Sequence, residues 1–250
     1  MPLAFIRSLA TKVMIFFFAG FFLSSTSYGF LTPERLIFDL TWTGVKAGTS
    51  TLEITSDENT MKIVSTAKSA DWVSLFYTVD DRIESVLSRA KAPFVIGAPQ
   101  TYRVKVREGK HRRDKEVTFD QLKHTAVYVD HIGGEKKDID LRNDVFDPLS
   151  GFYYVRVSKL EVGKSVYVDI LDNKKLWNVE VQVLRKEKIK TVLGSFETIV
   201  IKPLMKSEGI FNRKGDMYIW LTDDDKRLPV KVSTKVAVGN VVATLVGGEY

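Results

Sequence analysis

The sequence predicts a mainly β protein, built as a large curved antiparallel sheet or an open half-barrel with one principal helix at about residues 147–159. First, apolar and polar residues alternate with a period of two along most of the chain after residue 35, which is typical of strands that bury one face. Second, Asp147 and Pro148 suit the N-cap and the first position of a helix. Third, 250 residues with 44% hydrophobic residues can bury a sizeable core.

The N-terminal segment has the pattern of a cleavable secretory signal. Two basic residues precede the uncharged run 13–23, and small residues then lead to Gly29. An apolar helix of that length, at about 1.5 Å per residue, is too short for a hydrocarbon core of about 30 Å. We therefore expect residues 1–29 to be a signal peptide cleaved after Gly29, with no transmembrane anchor remaining and residues 30–250 forming a single β-rich domain.

The first half of the mature chain is predicted to be a series of short strands. Gly44 and Gly48 bracket a turn after the first of them, and Asp71 could cap a single helical turn over residues 71–76. The predicted strands are residues 36–42, 49–55, 61–67, 77–87, 102–107, 115–119 and 125–129.

The second half begins with the one segment that breaks the alternation. Leu149, Phe152, Tyr153 and Arg156 fall on one face of the predicted helix. A loop at residues 142–147 is a candidate sub-boundary, although we favour one domain. Strands then resume at residues 166–171, 176–184, 196–203, 217–222, 229–238 and 241–246.

Composition and motifs exclude several classes of function. The absence of Cys excludes disulfides, thiolate catalysis and Cys-ligated metals, and an exported chain without Cys fits a Gram-negative periplasm. The three His are isolated, and neither a nucleophile elbow nor a glycine-rich phosphate loop occurs. The 37 basic and 31 acidic residues are well mixed, which does not indicate nucleic acid. We therefore predict no catalytic residue, metal or cofactor.

The aromatic residues favour a binding role. A curved sheet with a helix across its mouth can enclose an apolar cavity, and such cavities bind lipids or other hydrophobic ligands. The leading hypothesis is a non-enzymatic periplasmic protein for ligand binding or envelope biogenesis, although ordinary core packing also explains these side chains. The candidate ligand-binding residues are Trp42, Trp72, Phe76, Phe152 and Tyr153.

Two other functions stay open at this point. One is a carboxylate-dependent hydrolase or lyase acting on an envelope glycan through Asp224 and Asp147, which requires two carboxyl groups in one cleft. Asp224 belongs to a triple-Asp run at residues 223–225, for which turn chemistry is the favoured explanation and a site for a hard cation such as calcium is another. The other is a scaffold that binds an envelope protein through an exposed sheet edge.

Several short motifs resemble an exported bacterial family, domain of unknown function 3108. Together they span about residues 33–246, and the resemblance implies export, a periplasmic address and a largely β architecture, without transferring a catalytic residue. The motifs are Trp42-Thr43-Gly44 with Ala47-Gly48, the run from Asp147 to Arg156, Gly194-Ser195-Phe196-Glu197-Thr198, Ile219 to Asp224, Arg227 to Val230, and Gly239 with Val241 and Leu245.

Overall fold

The computed structural model describes residues 33–89, 96–204, 216–236 and 239–250, so the predicted signal peptide lies outside the described residues. Its two helices are α1 (Asp71–Ser74) and α2 (Pro148–Val157). Its strands are β1 (Glu34–Trp42), β2 (Val45–Ser56), β3 (Thr60–Ser69), β4 (Asp80–Ser88), β5 (Pro99–Glu108), β6 (His111–Asp120), β7 (Thr125–Asp130), β8 (Lys136–Asp140), β9 (Ser165–Asp172), β10 (Lys175–Thr191), β11 (Gly194–Leu204), β12 (Met217–Thr222), β13 (Pro229–Lys235) and β14 (Asn240–Glu249).

All these strands belong to one antiparallel sheet, which confirms the predicted fold class. Its order is β8-β7-β6-β5-β4-β3-β2-β1-β14-β13-β12-β11-β10-β9, so two meanders join where β1 pairs with β14. The sheet is not closed into a barrel, but it curls until its two ends touch. Lys174 Nζ lies 2.9 Å from a carboxylate oxygen of Glu135, and Lys115 Nζ donates to Asn173 Oδ1 at 3.0 Å.

The strand ends define two rims of the curved sheet. The first rim carries the β1–β2 turn, α1, the β5–β6 turn and the β11–β12 ends at Leu204 and Met217. The second rim carries the start of β1, the β6–β7 turn and the β12–β13 turn. Helix α2 starts partway between the rims and ends against the second one, since Arg156 contacts Glu34 at the start of β1.

The core lies on the concave side, around α2. Tyr153 is fully buried and packs within a cluster drawn from strands near the β1–β14 junction, while Val155 packs among residues of β9 to β12. Leu149 contacts a third cluster on β5 to β7. One short helix therefore joins apolar side chains from both halves of the sheet. None of the helices in the described ranges has the length and apolar character needed to cross a membrane.

The described strands at the two edges of the sheet offer only short stretches for pairing with another chain. Beside β9, the backbone of Phe146 accepts from Leu171 N–H at 2.8 Å and donates to Asp169 at 2.9 Å. The other edge strand, β8, has five residues and begins with Lys136 and Lys137, and short charged edges resist pairing. The scaffold hypothesis therefore gains no support from a long free edge.

Four local features differ from the sequence prediction. Strand β8 was not predicted, and β10 continues to Thr191, seven residues beyond the predicted end, because it pairs with β11 throughout. Asp71 is the first residue of α1 rather than its cap; the N-cap is Ala70, without a side-chain hydrogen bond. The chain after α1 forms a turn, so β4 begins at Asp80 instead of Tyr77.

Candidate functional site

A partly open cavity of about 290 Å³ lies between α2 and the concave face of the sheet. Its lining comes from α2 and from strands of both meanders, and only Ser50, Ser65 and Tyr102 contribute polar side chains. The apolar lining includes Phe38, Leu52, Ile83, Leu149, Phe152, Val155, Val168, Ile170, Val179, Val181, Ile201, Met217, Ile219, Val232 and Ala243.

The N-terminal end of α2 is held by Asp147, which is fully buried. Its Oδ1 accepts from the backbone N–H groups of Leu149 and Ser150 at 2.9 and 3.0 Å, so it caps the helix as the sequence predicts. Its Oδ2 accepts from the hydroxyls of Ser150 at 2.7 Å and Ser85 at 2.6 Å. Because Ser85 lies on β4, the cap also fixes the helix to the sheet.

The environment of Asp147 favours its neutral form. Burial raises the pKa of this carboxyl above its ordinary value of 3.8, and the hydrogen bonds from Ser85, Ser150 and Leu149 only partly oppose that shift. The folded chain therefore holds this proton more tightly than the unfolded chain does. The contribution of Asp147 to the free energy of unfolding is greatest below pH 3.8 and declines as the pH rises through the folded-state pKa.

We expect Asp147→Ala to lower the free energy of unfolding by about 1–3 kcal/mol, because it removes the cap and leaves two buried hydroxyls without their acceptor. Asp147→Asn keeps an acceptor at the N-cap and should lower the free energy of unfolding by a smaller amount. Because it removes the titrating carboxyl, the decline in stability with rising pH that Asp147 causes should disappear. Urea unfolding followed by circular dichroism at several pH values checks both expectations. Equal losses for the two variants would contradict the capping role.

The C-terminal end of α2 is held by a buried ion pair. Arg156 donates to both carboxylate oxygens of Glu34, each at 2.8 Å, and both side chains are nearly inaccessible. The same guanidinium donates to the backbone carbonyls of Lys226 and Arg227 at 3.0 Å, and Tyr153 Oη donates to Glu34 at 3.1 Å. These contacts fix α2 across the second rim, with the cavity beside the helix.

The structure places the five candidate ligand-binding residues in three different environments. Phe152 lines the cavity, whereas Tyr153 is buried in the core beside the ion pair and is not part of the lining. Trp42, Trp72 and Phe76 lie at the first rim and are 40%, 44% and 86% exposed. Ligand binding by any of the five stays a prediction.

Most of the lining was missed by sequence reasoning. Val168, Ile170, Val179 and Val181 come from β9 and β10, and Tyr102 comes from β5. The strands that carry them were predicted, but an alternation with a period of two is the same for a packed core and for a cavity wall.

The proposed carboxylate pair does not form a cleft. Asp147 is buried at the helix cap, whereas Asp224 belongs to the β12–β13 turn, where it accepts from the hydroxyl of Thr222 and from the backbone N–H groups of Lys226 and Arg227. The two have no common hydrogen-bond partner among the described residues. The described ranges also contain no group of three or more His, Asp or Glu side chains arranged to hold a metal.

Comparison with known proteins identifies the family. The model for proteins of unknown function DUF3108 matches residues 37–246, which is most of the chain. The chain belongs to the DUF3108 family. This confirms the resemblance drawn from the sequence motifs. Comparison with curated proteins gives no significant match.

Two solved structures are similar to this DUF3108 chain. One is a β-barrel-like protein of domain of unknown function DUF1849 from Brucella abortus, with 12% identity and a TM-score of 0.54, over 87% of this chain and 97% of that one. At this identity the likeness shows a shared fold only. The other is the hypothetical protein CT021 from Chlamydia trachomatis, with 6% identity and a TM-score of 0.39, over 87% of each chain.

Proposed function

We propose that this DUF3108 protein is an exported periplasmic protein that binds one hydrophobic molecule in the cavity beside α2. The observation that carries the proposal is the cavity, whose lining is almost wholly apolar. Ligand sites typically measure about 300–1,000 Å³ and are mostly apolar, with a few polar groups. A volume of about 290 Å³ is at the lower end of that range, which favours a lipid with a single chain over one with several.

The apolar character of the lining also favours a hydrophobic ligand over water. Water finds few hydrogen-bonding partners in such a site, and apolar side chains gain dispersion energy only from atoms that pack closely against them. An alkyl chain provides such contacts and removes its own apolar surface from water. Helix α2, which forms one wall of the cavity, is fixed at both ends by Asp147 and Arg156.

Tyr102 supports a ligand that carries one polar group. It lines the cavity, its hydroxyl is buried, and that hydroxyl has no hydrogen-bond partner within the described part of the chain. Burial raises the pKa of Tyr102 well above its usual value, so the group is a neutral hydroxyl at physiological pH. Leaving it unpaired is costly, and a polar group of a ligand that reaches this hydroxyl would satisfy it.

The export part of the proposal rests on the sequence pattern of residues 1–29. Expression of the full chain in a Gram-negative host, followed by fractionation, should give periplasmic protein whose intact mass corresponds to an N-terminus at Phe30. Full-length protein that remains in the cytoplasm would contradict export while leaving the binding proposal intact.

Titration of the processed protein with a dansyl-labelled fatty acid tests the binding part. We expect saturable binding of one probe per chain, with emission that increases and shifts to shorter wavelength because the fluorophore leaves water. A signal that rises without saturation, or no signal change, would contradict a single binding site in the cavity.

A further inference from the structure

The first rim of the sheet exposes a group of large apolar side chains that do not line the cavity. We call Trp42, Val45, Trp72, Leu75 and Phe76 the apolar rim patch. Leu75 and Phe76 are 80% and 86% exposed, and Val45 is 56% exposed. Single exposed apolar residues are ordinary, but a cluster of this size on one surface indicates an interaction site.

The patch is formed by two neighbouring segments that are bonded to each other. Trp72 Nε1 donates to the backbone carbonyl of Lys46 in the β1–β2 region at 3.0 Å, and the backbone N–H of Ala70 donates to Ala47 at 2.8 Å. The turn that carries Leu75 and Phe76 is also held, since the N–H groups of Phe76 and Tyr77 donate to the carbonyl of Val73 at 2.9 and 2.7 Å. The backbone therefore presents these side chains to solvent in a defined arrangement.

A basic turn lies directly beside the patch. The N–H of Gly109 donates to the carbonyl of Thr78 at 2.8 Å, and the ring of Tyr77 packs over Gly109, where a Cβ would lie 2.7 Å from a ring carbon. This β5–β6 turn continues into Lys110, His111 and Arg112, all exposed. Among the described residues, no carboxylate pairs with Lys110 or Arg112. The neighbouring carboxylate of Glu108 lies 3.8 Å from the guanidinium of Arg113.

We propose that the first rim docks on the surface of an anionic lipid bilayer, with Leu75 and Phe76 entering the acyl region and the β5–β6 turn contacting phosphate headgroups. Trp and Tyr favour the membrane interface, and basic residues next to inserted apolar ones bind anionic lipid. The exposed carboxylates of Asp71 and Asp80 lie nearby and repel anionic lipid. The inserted apolar side chains therefore supply most of the binding free energy.

The cavity extends between the two rims. Its lining reaches Pro203 and Met217 near the first rim and Pro229 near the second. The docking proposal does not depend on the proposed function, because it concerns side chains outside the cavity lining.

The test is co-flotation of the processed full-chain product with two kinds of vesicle: phosphatidylethanolamine containing phosphatidylglycerol, and phosphatidylcholine alone. We expect preferential binding to the anionic vesicles, weakened by salt and by Lys110→Glu. The double variant Leu75→Ser with Phe76→Ser should reduce the fraction bound about tenfold or more, because both side chains lose their apolar contact with lipid. Leu122→Ser is the matched control, since Leu122 is 95% exposed on the second rim and should not affect flotation.

Two results would overturn the docking proposal. One is equal flotation of the wild type and the double variant. The other is the absence of vesicle binding together with loss of a co-purifying protein in the double variant, which would assign the patch to a protein partner. The fatty-acid probe should bind all these variants alike. A variant that keeps probe binding but loses flotation separates the docking proposal from the proposed function.

Discussion

Arg156→Met should lower the free energy of unfolding by about 3–5 kcal/mol, because it leaves the buried carboxylate of Glu34 without its countercharge. The guanidinium also supplies hydrogen bonds to the carbonyls of Lys226 and Arg227, which hold the β12–β13 turn against α2. The measurement is the midpoint and slope of urea unfolding followed by circular dichroism. A loss below about 1 kcal/mol would show that the ion pair does not hold the helix.

Two further variants determine the source of this loss. Arg35→Met breaks the exposed pair of Arg35 with Glu53, which has the same 2.8 Å separation, and should cost at most about 1 kcal/mol. Combining Glu34→Leu with Arg156→Met removes both buried charges and should recover part of the stability lost by Arg156→Met alone. If the double variant were no more stable than the single one, the unpaired charge would not be the cause.

Ala243→Phe should reduce the affinity for the fatty-acid probe by at least about tenfold, because its ring would occupy space that the ligand needs. Ala243 lies on β14, lines the cavity and pairs in register with Val232, another lining residue. The measurement is the probe titration, performed on protein whose urea midpoint has been checked so that unfolding does not mimic a loss of binding.

The neighbouring residue provides a matched control for the cavity variant. Thr244 follows Ala243 on the same strand, and alternation turns its side chain toward the opposite face of the sheet. Thr244→Phe adds the same ring system outside the cavity and should leave the probe affinity unchanged. Equal losses for both variants would mean that the probe binds elsewhere or that β14 is generally disturbed.

The strands were predictable wherever a run of apolar residues is bounded by clear turn residues. Strand β12 begins at Met217 and ends at Thr222 as predicted, because a continuous apolar run is followed directly by the Asp run 223–225. Strand β8 has no such pattern, since four of its five residues are charged, and it exists because β7 supplies a pairing partner. Similarly, β10 extends through a charged segment because β11 pairs with it.

The site was less predictable than the fold. Local sequence identified the cap at Asp147 and placed Phe152 on the helix, but the ion pair joins residues 122 positions apart and has no local signal. Aromatic character was a poor guide to the cavity, because hydrophobicity does not tell whether a side chain faces the core or solvent. Phe76 illustrates this limit: its turn carries it out of the sheet to the first rim.

Native mass spectrometry of the processed protein, purified from its own organism and followed by organic extraction, tests the central claim most directly. We expect one retained hydrophobic molecule per chain, recovered in the extract, and its loss from the Ala243→Phe variant but not from Thr244→Phe. Wild-type protein that carries no such molecule and also fails to bind the fatty-acid probe would contradict the claim that the cavity beside α2 is a binding site.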